Sequence, residues 1–172
     1  LPIPVPAAVP GQNGIYAGSQ DTDYLGIFGQ ATWNITEQFS VTGGIRWQEE
    51  KKKASLEQNV TVPGLSLMSV NLLPANVGGD LKRTTDDVTW SVTPQYFFTD
   101  DLTVYATAAH GFKSGGFNVG WGSIPLDQRE FQDEKIMHYE TGLKATLLEG
   151  RMQVALSAFY TEYDDYQDAA FI

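Results

Sequence analysis

A long alternation of apolar and polar residues between positions 88 and 108 constrains the fold of this chain more than any other feature. Apolar residues occupy nearly all the even positions, and mostly polar residues lie between them. A period of two residues places successive side chains on opposite faces of a β-strand. Residues 99–101, Thr-Asp-Asp, have turn chemistry. The stretch therefore predicts an antiparallel hairpin of two long strands.

Two more hairpins of the same kind are predicted, one before and one after this stretch. Their turns fall at residues 36–38 and 149–151, each between alternating strands. Long connections at residues 49–87 and 111–133 separate the hairpins, and the charge run at residues 49–53 is predicted to be a solvated strand end. In an up-and-down sheet, the short turns then lie at one edge and the long connections at the other.

The first residues of the chain differ from the rest. Residues 1–22 contain four of the eight prolines and show no alternation, so they predict a Pro/Gly-rich loop. We expect the first strand to begin at Asp23. The predicted organisation is a loop over residues 1–22 and one all-β region, an antiparallel up-and-down meander of about six long strands, over residues 23–172.

Composition excludes several classes of function. The formal net charge of -10 argues against a nucleic-acid partner, which would need a basic surface. The chain has no cysteine, so disulfide bonds and thiolate metal sites are excluded. No apolar run approaches the ~18 residues of a transmembrane helix. The mean hydropathy of -0.23 is typical of a soluble protein, but the alternating strands of a membrane barrel average to similar values.

The spacing of aromatic residues favours a membrane-barrel wall over a soluble sandwich. Phe39 and Trp47 are eight residues apart, and so are Trp90 and Phe98. Eight residues rise about 26 Å along a strand, or roughly 20 Å at a tilt of about 40°, close to the apolar band of a barrel and its two aromatic girdles. Aromatic residues in a soluble core are the alternative interpretation. The predicted membrane-interface aromatic residues are Trp33, Phe39, Trp47, Trp90, Tyr96, Phe98 and Tyr160.

The opposite rows carry the polar residues that a barrel needs on its lumen side. In a soluble sandwich the same positions would face water, so this observation alone discriminates little. Six strands are fewer than the roughly eight of the smallest closed barrels, so we expect a piece of a larger transmembrane β-barrel. The predicted lumen-facing polar residues are Arg46, Gln48, Glu50, His138, Glu140 and Lys144.

Five strings follow one another along the chain. They are FGQATW at residues 28–33, GGIRW at 43–47, the stretch 105–118, YETGLK at 139–144 and the stretch 158–167. In this order they resemble the TonB-dependent outer-membrane receptors. The resemblance implies a barrel of about 22 strands in the outer membrane of Gram-negative bacteria, surrounded by outer-membrane lipid.

The resemblance also implies partners and a function. A plug domain, expected outside these residues, would belong to the same full-length protein, and the TonB energy-coupling protein would contact the missing N-terminal region. The implied function is energy-coupled uptake of a small-molecule nutrient: a siderophore, haem, cobalamin or a carbohydrate. The chain itself would form barrel wall and extracellular loops.

No catalytic residue, metal site or cofactor is predicted. His110 and His138 are 28 residues apart and lack metal-ligand spacing. No nucleophile, base and orienting group can be placed together. Aromatic and polar residues in and beside the second long connection would suit a ligand through ring stacking and hydrogen bonds. These ligand-contact candidates are Lys113, Phe117, Asn118, Trp121 and Arg129.

Two other functions stay open on the sequence. A passive outer-membrane porin would share the barrel wall, and a plug domain encoded upstream would exclude it. A soluble β-sandwich that binds carbohydrate would dissolve without detergent and unfold in a sharp two-state transition.

Overall fold

The computed structural model describes residues 14–60, 77–120 and 124–168. Its elements are β1 (Gly14–Asn34), β2 (Phe39–Val60), β3 (Val77–Thr99), β4 (Leu102–Lys113), β5 (Gly116–Phe117), a 3-10 helix (Leu126–Gln128), β6 (Glu130–Phe131), β7 (Glu134–Leu147) and β8 (Met152–Asp164). Six strands neighbour one another in the order β1-β2-β3-β4-β7-β8, and β5 pairs separately with β6. The predicted six-stranded antiparallel meander is confirmed. In the described part of the chain, no helix is long and apolar enough to cross a membrane.

The short turns lie where the sequence predicts them, at one edge of the sheet. Residues 35–38 join β1 to β2, residues 100–101 join β3 to β4, and residues 148–151 join β7 to β8. In the last turn, Gly150 has a φ of 86°, a left-handed conformation that favours glycine. Tight turns of this kind help to fix the strand register.

The strand register divides the sheet into two faces. Trp90 of β3 lies opposite His110 of β4, and His110 lies opposite Met137 of β7. Because this pairing carries the alternation from strand to strand, one face is mostly apolar and the other is mostly polar. The face that carries Trp90 is called the outer face below, and the face that carries Glu140 is called the inner face.

The first strand is longer than the alternation predicts. β1 begins at Gly14 and not at Asp23. The predicted loop over residues 1–22 therefore ends inside a strand. Pro10 is the last proline before β1, so nothing beyond it forbids a strand. Residues 1–13 lie outside the described part.

The two following strands also extend further than expected. β2 continues to Val60 and β3 begins at Val77, so the first long connection is shorter than residues 49–87. The charge run at residues 49–53 is therefore inside β2 and is not a strand end. The strand can include this charge run because its alternation places Lys51 and Lys53 on the outer face, where both side chains are exposed.

The chain divides into two compact units. Apolar side chains that are buried in the described residues lie in the first unit, and they are Ala54, Leu56 and Phe117. The second unit is a part of the sheet whose outer face leaves large apolar side chains exposed. The first unit takes the described residues within 1–23, 51–84 and 115–131, and the second takes those within 24–50, 85–114 and 132–172.

The exposed apolar rows of the second unit favour a barrel wall. Leu156 is 63% exposed and Ile45 is 60% exposed, although both belong to the regular alternation. A soluble sandwich would cover such a face with a second sheet. A barrel wall presents it to lipid instead.

Candidate functional site

An arginine-centred cluster lies on the inner face of β1 and β2. Arg46 Nε donates to Tyr24 Oη and to Gln48 Oε1, both at 3.0 Å, and Tyr24 Oη donates to Gln48 Oε1 at 2.6 Å. The Arg46 guanidinium also lies 5.4 Å from the ring centroid of Tyr24 and 5.9 Å from that of Phe28. Tyr24 thus forms hydrogen bonds with both Arg46 and Gln48, two of the predicted lumen-facing residues. Alternation alone does not identify Tyr24 as a member of this cluster.

A second polar cluster lies on the inner face of β4, β7 and β8. Tyr105 Oη donates to Glu140 Oε1, and Lys144 Nζ lies 5.4 Å from the Tyr105 ring centroid. His138 Nε2 lies 3.6 Å from Glu140 Oε2, and His138 Nδ1 lies 2.9 Å from Thr161 Oγ1. His138, Glu140 and Lys144 therefore share one surface, to which Tyr105 and Thr161 also belong.

A shallow groove of about 600 Å³ crosses the inner face of the second unit. It offers hydrogen-bonding side chains in an open depression, which suits reversible binding of a polar ligand or of a polar protein surface. Glu50 follows Gln48 at the next inner position of β2 and is half-buried. Side chains that line the groove include Phe28, Gln30, Arg46, Gln48, Thr89 and Ser91.

Residues 115–120 and 124–131, called the 115–131 loop below, lie against the inner face of β2 and β3 within the first unit. Lys52 Nζ donates to Gly115 O at 2.6 Å, and Arg83 forms an ion pair with Glu130. Lys52 and Arg83 both occupy inner positions of their strands. The 115–131 loop is therefore attached to the inner face of these strands.

Arg129 organises this loop from within. Its side chain is only 1% exposed. Nε donates to Ile124 O at 3.1 Å, and Nη1 donates to Asn118 O at 2.9 Å and to Gly120 O at 2.8 Å. Asn118 N–H donates in return to Arg129 O at 2.7 Å. One charged group thus ties together carbonyls from both sides of the loop.

The structure places the other predicted ligand-contact residues in different environments. Phe117 is buried in β5, whereas Asn118 is exposed beside it. Lys113 is exposed at the end of β4, in the second unit. Trp121 lies outside the described residues. Phe117, Asn118 and Arg129 are therefore brought into one loop, in which Asn118 offers an exposed polar side chain.

Gln167 connects the ends of β4, β7 and β8 that lie away from the short turns. Its backbone N–H donates to Glu134 Oε2 at 2.8 Å. Its side-chain Nε2 donates to Gln132 O at 2.8 Å and to Lys113 O at 3.3 Å. Glu134 is buried, so this hydrogen bond replaces one that water would make. Gln167 follows the last strand, where alternation gives no signal for such a contact.

The predicted interface aromatic residues occupy outer positions of their strands. Tyr96 and Phe98, near the short turns, pack edge-to-face with ring centroids 4.7 Å apart. Trp90, nearer the other edge, stacks on His110 at 6.5 Å. Their contact with lipid is a prediction. The remaining members of the set are Trp33, Phe39, Trp47 and Tyr160.

These surfaces offer binding chemistry in the form of hydrogen bonds, stacked cations and aromatic faces. Within the described ranges, no group of three or more His, Cys, Asp and Glu side chains could hold a metal ion.

Comparisons with known proteins relate the chain to a family. The family model described as TonB dependent receptor-like, beta-barrel matches residues 3–172. A pesticin receptor from Yersinia pestis is 28% identical over 154 residues, which cover 87% of this chain and 20% of that protein. A pesticin receptor from Yersinia enterocolitica gives the same values. The chain thus spans about a fifth of the length of these relatives.

Two solved structures have the same fold over most of the chain. The ferric yersiniabactin uptake receptor FyuA from Yersinia pestis matches with a TM-score of 0.74 and 24% identity, over 88% of this chain and 22% of that one. The ferric-catecholate import receptor Fiu from E. coli K12 matches with a TM-score of 0.60 and 18% identity, over 86% and 21%. At these identities the likeness concerns the fold alone.

Proposed function

Because the chain belongs to the TonB-dependent receptor-like β-barrel family, we propose that it is part of the barrel of a receptor that takes up a ferric siderophore. The family lies in the outer membrane of Gram-negative bacteria, and its members are receptors and transporters. On this assignment the outer face meets lipid and the inner face meets the barrel interior. The chain contributes wall and loop, and it performs no covalent chemistry.

The observation that carries this proposal is the family match over residues 3–172. The ligand class is supported by the names of similar proteins, which are receptors for pesticin, ferric yersiniabactin and ferric catecholates. Haem, cobalamin and carbohydrate are the other nutrients that the same barrel type would suit. A ferric siderophore is favoured because each of the two solved relatives is named for an iron complex.

The position of the 115–131 loop supports a direct role in ligand contact. Lys52 and Arg83 attach this loop to the inner face of β2 and β3, the face that meets the barrel interior on this assignment. Arg129 fixes its backbone, and Asn118 presents an exposed amide that can donate to or accept from a polar ligand. Lys113, Phe117 and Trp121 stay ligand-contact candidates on the sequence alone.

Two partners are part of the proposal. A plug domain of the same full-length protein would contact the inner-face clusters around Arg46 and Glu140, which offer hydrogen-bonding groups of both signs of charge. TonB would supply the energy for transport through the plug domain. Neither partner needs to touch the outer face.

The test is an uptake experiment with the full-length gene. A Gram-negative strain without its own siderophore receptors would express the protein, and ⁵⁵Fe-labelled siderophores of several classes would be offered under iron limitation. We expect one class to be accumulated at nanomolar concentration. Accumulation of haem, cobalamin or a carbohydrate instead would contradict the ligand class.

Deletion of TonB separates this receptor from a passive pore. Energy-coupled uptake should stop without TonB, whereas diffusion through an open porin would continue. Uptake that survives the deletion, with the same concentration dependence, would contradict the proposed mechanism. A receptor variant without the barrel residues 23–172 serves as the negative control.

A further inference from the structure

A second groove lies on the outer face, on the opposite side of the sheet from the polar clusters. Its volume is about 580 Å³, and residues of β3, β4, β7 and β8 in the second unit line it. Its floor is a row of small side chains, because Ala106 lies opposite Thr141 and Thr141 lies opposite Ala158. Pro94 of β3 lines the same groove. The depression therefore arises where neighbouring strands each contribute a small residue.

Larger side chains border this row on both sides. Toward the long connections, Tyr139 lies opposite Tyr160, and toward the short turns Leu143 lies opposite Leu156. Tyr160 is 60% exposed and Leu156 is 63% exposed, so both project from the outer face. The result is an open apolar depression with projecting side chains on β7 and β8 at both of its ends.

The outer groove lies at the middle of the apolar band. Pro94 is midway in sequence between Trp90 and Phe98, whose separation approximates the height of that band. At this depth a bilayer presents hydrocarbon chains and excludes water. The charged side chain among the lining residues is Glu140, which belongs to the inner face. Both the depth and the lining thus suit hydrocarbon.

We propose that the outer groove, with its floor of Pro94, Ala106, Thr141 and Ala158, binds one acyl chain of a membrane lipid as an ordered part of the barrel surface. An unfilled groove would leave its lining atoms without dispersion partners. A flexible acyl chain is narrow enough to enter between the borders. A second protein would need a surface complementary over roughly 1,000 Å², and the projecting borders hold a flat wall away from the floor.

This inference rests on the proposed function only for the location of the barrel in the outer membrane. The test uses the full-length receptor in vesicles of phosphatidylethanolamine and phosphatidylglycerol. A fraction of the phospholipid carries a photoreactive diazirine at the middle of one acyl chain. After irradiation, mass spectrometry of the peptides locates the labelled residues.

The matched reference is Gly43 on the outer face of β2. Gly43 is four residues from the turn end of its strand, as Ala106 is from the turn end of β4, so both lie at a similar depth. A bound chain dwells longer than a passing lipid. We therefore expect severalfold more labelling around Ala106 and Ala158 than around Gly43.

Filling the groove should remove this excess. Ala106→Phe is expected to lower the labelling around Ala158 to the level around Gly43, whereas Gly43→Phe should leave the excess unchanged. Ala106→Leu is a smaller change for the case in which the phenylalanine variant does not assemble, and it should reduce the excess in part. Heat-modifiable migration on gels confirms that each variant forms a barrel.

Equal labelling around Ala158 and Gly43 in the unaltered receptor would overturn the proposal, and so would cross-links from the groove to a second protein in place of lipid. Uptake of the ferric siderophore is measured on the same variants. An unaltered receptor that takes up the siderophore but shows no excess labelling around Ala158 contradicts the groove alone. Labelling of the groove in a receptor that transports no siderophore supports the groove and contradicts the proposed ligand.

Discussion

Arg129 is only 1% exposed, so the N–H groups of its guanidinium need hydrogen-bond acceptors inside the protein. Carbonyls of its own loop serve as these acceptors. This arrangement separates two roles that an arginine in a ligand-facing loop can have. A residue that contacts the ligand needs an exposed donor, whereas a residue that positions the loop needs buried ones. The hydrogen bonds from Arg129 to the carbonyls of Ile124, Asn118 and Gly120 belong to the second kind, so we expect it to act on the ligand through Asn118.

We predict that Arg129→Met weakens siderophore binding by about tenfold, about 1.4 kcal/mol. The substitution removes the donor that joins the carbonyls of Ile124, Asn118 and Gly120, and this loosens the loop. Isothermal titration of the purified receptor measures the affinity. Hydrogen exchange at the Asn118 amide measures the loop, and exchange should become faster.

Arg151→Met in the exposed turn before β8 is the matched control, and neither readout should change. Weaker binding without faster exchange would mean that Arg129 contacts the ligand directly. Faster exchange with unchanged affinity would contradict the role of this loop in binding.

The inner-face cluster around Glu140 leads to a second prediction. Tyr105→Phe should lower the thermal stability of the receptor, because it removes the hydroxyl that donates to Glu140. The same substitution in a Glu140→Gln background should have a smaller effect, since the two groups act as a pair. The midpoint of heat-modifiable migration measures each variant. Equal effects in the two backgrounds would show that the pair is not coupled.

Sequence alternation placed His138, Glu140 and Lys144 on one face, but it could not identify the residues that join them. Tyr105 is a neighbour of Glu140 only through the register of β4 against β7. That register depends on the connection between the two strands, whose conformation a side-chain period does not determine. Polar faces are therefore predictable from sequence, whereas hydrogen-bond partners on them are not.

Strand β7 depends on a glycine at a crowded inner position. A Cβ added to Gly142 would lie 2.7 Å from Leu156 O and 2.7 Å from Tyr105 Oη. Leu156 O belongs to the backbone of the neighbouring strand and cannot move without disturbing the pairing. Gly142 thus lets Tyr105 lie across β7 while β8 stays in register.

We predict that Gly142→Ala destabilises the barrel by about 1–3 kcal/mol, the usual effect of overpacking. Chemical unfolding of the receptor in lipid vesicles measures the change. Gly111→Ala on β4 is the matched control, because no atom lies within 4 Å of its added Cβ. A Gly142→Ala receptor as stable as the Gly111→Ala receptor would contradict the crowding seen here.

The elements show where sequence patterns succeed and where they fail. The turns at residues 100–101 and 148–151 were predictable, because turn residues interrupt a regular alternation. The distal halves of β2 and β3 were not, because Lys51 and Lys53 lie on the outer face where an apolar row would be expected. Beyond the apolar band of the membrane, a strand needs no apolar face. Its sequence then no longer alternates between apolar and polar residues, so the pattern does not predict the strand.

At the scale of the whole molecule, the six-stranded sheet of the described residues has two edge strands, β1 and β8. Its outer rows are also exposed, with few buried apolar side chains in the described ranges to offset them. Unpaired strand edges and large apolar surfaces both promote association between molecules. The chain taken alone is therefore expected to be unstable in water.

We predict that the isolated chain aggregates in buffer without detergent. Size-exclusion chromatography and light scattering after refolding measure its state, and the full-length receptor refolded in detergent is the control. A monodisperse monomer in buffer with a sharp two-state unfolding transition would contradict the barrel-wall assignment and favour the soluble module.

The two edges have a consequence for how such receptors can be recombined. A segment bounded by β1 and β8 meets the rest of its barrel along two seams, and at each seam the backbone pairing depends little on which side chains are present. Chimeras that exchange this segment between family members should assemble when the register at both seams is preserved. The 115–131 loop would then be exchanged together with the strands to which it is attached. The exchange would transfer the ligand specificity of one receptor to the other.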